Sequence, residues 1–174
     1  MKIIVWLWNP WREYEKTKHN VWFMFLDYFI KKNNFSEFIF ESKFKAELSN
    51  WIYNWEKTIL VKPQTYMNLS WESIISTMNF YKIEKNNFLV IFDDLSMDFW
   101  KLRFRESWSA GWHNWIKSII KYLWNDFKRI KVWIWYDSKF EVSDWVLSKF
   151  KEEELIDLEN EIFKNTNSLL IQNF

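Results

Sequence analysis

Two histidines, His19 and His113, are the only imidazoles in a chain of 174 residues, and there is no cysteine. Imidazole can take up or release a proton near neutral pH without help from its surroundings. The amides of Asn9, Asn68 and Asn114 can each donate and accept a hydrogen bond. Asp93 adds a carboxylate, which as an anion only accepts. This set suits proton transfer and the binding of a carbonyl or peptide group. The lack of cysteine excludes disulfides, thiolate metal sites and cysteine nucleophiles. Two histidines are too few for a histidine-rich metal site.

The elements that must position these groups follow from apolar patterning. Short β-branched runs predict strands over residues 2–7, 58–62, 88–92 and 130–135. Residues 37–42 and 101–105 alternate and predict strands with one exposed face. Helical periodicity marks residues 20–32, 70–82, 113–123 and 152–171, the last with acids in its first turn. Strands alternating with helices predict one α/β domain over residues 1–174. Its central sheet should be mixed, mostly parallel and flanked by helices.

On this map Asn9, Asn68 and Asp93 follow strands, while His19, His113 and Asn114 precede helices. Strand-end Asn and Asp usually only shape turns. In open α/β sheets, however, the ligand crevice lies outside the carboxyl ends of the strands. Several polar groups arriving there together mark a site.

Charge is uneven although the net value is only +1. Residues 101–131 carry eight Lys/Arg against two Asp/Glu, a surface suited to phosphates. Residues 150–174 carry two Lys against six Asp/Glu. The apolar run at the start of the chain is too short for a signal peptide or a membrane span, so a cytoplasmic protein is expected.

Composition holds one anomaly: 15 Trp and a single Gly. Average usage would supply roughly a dozen Gly. The segments "NPWREYEKTKHNVWFMFLD", "LVKPQTYMNLSWES", "LVIFDDLSMDFWKLRFRESWSAGWHNWIKSII" and "FKRIKVWIW" resemble, in order and spacing, the bacterial peptidyl-tRNA hydrolases. The resemblance spans residues 2–150, and it departs from the family in one systematic way: tryptophan stands where the family carries glycine. A gene that uses UGA for glycine, translated as though UGA meant tryptophan, produces this pattern. Trp145 falls where the family has an aromatic residue and reads as a true tryptophan. The remaining indoles are expected at turns, at strand ends or in the cleft, with Trp8, Trp11, Trp112 and Trp115 crowding the site.

The resemblance implies a peptidyl-tRNA hydrolase-like fold. The implied activity is hydrolysis of the ester between a peptide and the 3′-terminal ribose of tRNA, by a monomer and without a cofactor. It makes His19 the general base and Asp93 its orienting partner, with Asn9 at the reacting group. Tyr14, Met67, Asn68 and Asn114 line the cleft, and His113 is peripheral. Arg103, Arg105 and Lys131 face the acceptor end of tRNA, Arg105 and Lys131 gripping a 5′-phosphate.

Three other readings compete. Glycine-corrected, the opening motif mimics a dinucleotide-binding fingerprint, but Asn9-Pro10 occupies the turn and the next helix starts near residue 20. Ser70 lacks the first glycine of a nucleophile elbow. A non-catalytic RNA-binding protein on the same fold would have no use for the base.

Overall fold

The computed structural model describes residues 1–7, 14–53, 55–94, 102–106, 114–123, 127–133 and 139–174. Asn9, His113, Trp8, Trp11 and Trp112 lie outside the described residues, as do the side chains of Met67, Asn114 and Trp115.

The apolar runs in β1 (Lys2–Trp6), β4 (Glu56–Pro63) and β5 (Phe88–Asp94), with the more basic β7 (Lys128–Trp133), form the parallel centre of one seven-stranded sheet. Near-continuous apolar sequence is what a strand covered on both faces requires. The strand order is β2-β3-β4-β1-β5-β7-β6. Its margins are antiparallel: β2 (Ile39–Glu41) on β3 (Ala46–Tyr53), β3 on β4, and β6 (Leu102–Arg105) on β7. The expected α/β class with a mixed sheet is therefore present, and antiparallel pairing at both margins makes it mixed.

Helices cover the two faces. Helix α1 (Val21–Asn33) packs on one of them with the closing helices. These are α5 (Glu152–Asp157), a π-helical stretch at Leu158–Phe163, and α6 (Lys164–Asn173). Phe25 of α1 meets Phe163 at a ring-centroid distance of 5.3 Å. Helices α2 (Ser70–Tyr81) and α3 (Asn114–Tyr122) cover the other face, over Val5, Val61, Val90 and Phe92. A short helix, α4 (Val142–Leu147), precedes the closing segment. Among the described residues, no helix is long and apolar enough to cross a membrane.

Strand β3 and helix α4 are absent from the sequence-based expectation. The reason for β3 is instructive. Tyr53 pairs with Glu56, so two residues, Asn54 and Trp55, separate β3 from β4. A two-residue hairpin favours Asn-Gly because positive φ is needed there. Trp55 has φ 65° and is 94% exposed. An indole in the glycine position hides the strongest short-range hairpin signal. The left-handed region costs a residue with a Cβ roughly 1–2 kcal/mol. Retaining Trp55 in a chain that carries glycine at the other anomalous sites should lower stability by about that amount, measured by urea titration.

Trp6, the last residue of β1, stands at a strand end as expected, but it and Trp22 also share one core cluster, where no indole is expected. Both are fully buried beside α1, with Trp6 5.8 Å from Phe29 and Trp22 5.8 Å from Phe25 between ring centroids. Trp6 ends β1 and Trp22 is the second residue of α1, and both side chains enter a phenylalanine-lined layer that can wrap a large ring. The accommodation is incomplete. The indole N–H groups of Trp6, Trp22 and Trp71 are buried without a hydrogen-bond partner.

Candidate active site

Asp93 lies near the end of β5 and is wholly buried, on the face that carries Leu89, Ile91 and α1. His19 lies in the 3-10 turn Lys18–Asn20 that leads into α1 on that same face, and it is 9% exposed. The turn and the strand end meet across 74 residues of sequence: His19 Nδ1 donates to Asp93 Oδ2 at 2.7 Å. An ionised carboxylate can only accept, so Nδ1 carries a proton, and in a neutral ring that leaves the lone pair on Nε2. The buried carboxylate thereby fixes the orientation of the imidazole.

The turn carrying His19 is itself anchored. Thr17 donates to the Tyr14 carbonyl through both its backbone N–H (2.9 Å) and its hydroxyl (2.8 Å). That links Tyr14, expected in the cleft, to the turn that carries His19 five residues on. Asn20, fully buried beside His19, was not singled out from sequence. Its flanking position before α1 reads there as an ordinary helix start.

Met67 and Asn68 occupy a 3-10 turn, Met67–Leu69, ahead of α2. Asn68 is exposed, and its carbonyl accepts a 2.7 Å hydrogen bond from the Ser118 hydroxyl. Ser118 stands one helical turn past Asn114, the first residue of α3. The bond thus brings the Asn68 turn to the start of the helix that begins with the other asparagine.

The expected basic residues gather by register. Arg103 pairs with Lys131 and Arg105 with Arg129 across β6 and β7. Directly opposed residues and residues two apart share a face, so all four cations lie on one side of the sheet. Phe92 pairs with Lys131, which assigns that side to the α2–α3 face, opposite Asp93. Arg103 is exposed and Arg105 half-buried, whereas Lys131 is only 8% exposed. Arg129, not singled out from sequence, is fully buried with its guanidinium 4.2 Å from the Phe127 ring. Desolvation lowers its pKa to about 10, which leaves it charged at neutral pH.

The family model described as peptidyl-tRNA hydrolase matches residues 3–172. The chain belongs to the peptidyl-tRNA hydrolase family. A peptidyl-tRNA hydrolase from Bacillus cytotoxicus is 45% identical over 170 residues, covering 97% of this chain and 90% of that one. One from an Exiguobacterium species is 45% identical over 167 residues, 95% of this chain and 89% of that one. Among solved structures, an arginine-to-glutamine variant of peptidyl-tRNA hydrolase from Acinetobacter baumannii superposes with a TM-score of 0.87. It is 28% identical and covers 99% of this chain and 89% of its own. Membership in the peptidyl-tRNA hydrolase family agrees with the resemblance read from the motifs.

Proposed function

We propose that the chain hydrolyses the ester joining a peptide to the 3′-terminal ribose of tRNA, with His19 as general base. The buried His19–Asp93 hydrogen bond at the carboxyl end of β5, in a chain of this family, carries the reading. Nε2 takes a proton from water as that water attacks the ester carbonyl. Asp93 stabilises the imidazolium that forms. Collapse of the tetrahedral intermediate breaks the bond to the ribose oxygen, and the imidazolium returns the proton to it. The products are free tRNA and a peptide carboxylate. Amides of Asn9, Asn68 and Asn114 supply donors for the developing oxyanion and for the peptide backbone.

The cation face of β6 and β7 supports a tRNA partner held by its acceptor end, since phosphate contacts position an RNA without reading its bases. Because the base and the cations lie on opposite faces, RNA reaching both must pass around the edge of the sheet. In this reading the enzyme acts in the cytoplasm as a monomer. Glycine is its native residue at the tryptophan positions other than Trp145.

Release of free tRNA from an N-blocked aminoacyl-tRNA tests the activity directly; no release overturns it. Asp93→Asn should leave KM near normal while turnover drops, because an amide can force the wrong imidazole tautomer. Equal losses in affinity and rate would make Asp93 structural. Arg103→Ala or Arg105→Ala should raise KM for full-length tRNA substrates. Each should also flatten the log–log salt dependence by about one unit. A short substrate without a 5′-phosphate should be unaffected; an equal effect on it removes the phosphate role.

A further inference from the structure

Lys18, one residue before the base, is a buried cation with no part in the proton transfer or the phosphate face. It is 5% exposed. Its Nζ donates to Ser148 Oγ at 2.9 Å and to the Lys149 carbonyl at 3.2 Å. The same ammonium lies 4.5 Å from the Trp145 ring centroid and 5.3 Å from that of Phe150. Ser148 Oγ in turn donates to the Trp145 carbonyl at 2.7 Å. Buried ammonium groups need such compensation, here two oxygens and two aromatic faces.

The backbone repeats the connection. Lys18 N–H donates to the Ser148 carbonyl at 2.9 Å and Phe150 N–H to the Lys16 carbonyl at 3.3 Å, with Thr17 bridging Lys149. The turn Lys18–Asn20 has no side-chain cap at its start. The segment after α4, more than a hundred residues away in sequence, therefore adds a second anchor to the local Thr17–Tyr14 bonds. Trp145 differs from Trp6, Trp22 and Trp71 in that its ring has a cation to bind.

We propose that Lys18, seated in the box formed by Trp145, Ser148 and Phe150, is a positioning residue that holds His19 in register with Asp93. The inference rests on His19 being the base. Its effect should be on rate: misplacing a catalytic group by about 1 Å can cost roughly 10²-fold.

Lys18→Met keeps the length of the side chain and removes the charge and donors. Per folded molecule, measured by circular dichroism, it should lower kcat about 10–100-fold with KM within two-fold. The downfield Nδ1 proton resonance of His19 should weaken with it. Lys18→Arg, which keeps charge, donors and the stacking contact, should restore both. In a His19→Ala background Lys18→Met should change nothing further. Should Lys18→Met fail to fold, Trp145→Leu and Trp145→Phe take its place, the first lowering kcat and the second not. Loss that merely follows the folded fraction, a rise in KM at constant kcat, or equal loss in both backgrounds overturns the positioning role. Undiminished activity of His19→Ala itself would instead overturn the base assignment on which it rests.

Discussion

Replacing His19 with alanine is expected to lower turnover of peptidyl-tRNA by about 10²–10⁴-fold, the range typical of a general base. That corresponds to about 3–5 kcal/mol of transition-state stabilisation. Water must then attack without a proton acceptor, although bound substrate and any oxyanion donors remain. KM should change little, because the imidazole acts mainly on a proton in flight. The variant also removes a partner from Asp93, whose carboxylate is wholly buried. A stability loss of about 1–3 kcal/mol is the expected companion, a cost that sequence alone did not suggest. Rates must therefore be compared per folded molecule. Single-turnover release of tRNA within a few-fold of the unsubstituted protein would remove His19 from the mechanism.

The second large effect concerns tryptophan. The chain with glycine at the anomalous positions and tryptophan kept at Trp145 should be soluble, melt cooperatively and release tRNA. The chain bearing all 15 Trp should aggregate and hydrolyse nothing. Among the described residues, three indole N–H groups are buried without partners, at Trp6, Trp22 and Trp71. Leaving a buried donor unsatisfied costs about 1–3 kcal/mol each. Trp55 adds left-handed backbone strain at φ 65°. The margin holding a domain folded is only about 5–15 kcal/mol, so a few such sites consume much of it. Differential scanning calorimetry and a tRNA-release assay on the two chains decide the matter. A soluble, active preparation carrying every tryptophan would show that glycine is not the native residue. Intact-mass measurement of the natural protein gives the same answer independently.

By itself the sequence determined the class of chemistry, the α/β alternation and the family. Each rests on local information: the absence of cysteine, runs such as Ile3–Val5 and Leu89–Phe92, and the order of polar motifs. Strand β3 escaped because Trp55 stands in the one position where a glycine would have announced the hairpin. Helix α4 escaped because six residues are too few to display a period. Tertiary structure alone decided which groups meet. No local pattern could pair Nδ1 of His19 with Asp93 across 74 residues, since that contact follows from α1 and β5 packing in one layer. The basic stretch likewise became a single face only through the β6–β7 register, which sets Arg103 against Lys131 and Arg105 against Arg129. In the sequence Lys18 is one more charge beside a histidine. Its burial between Trp145 and Phe150 depends on contacts across 130 residues of chain, and long-range packing of that kind leaves no period in the sequence to read.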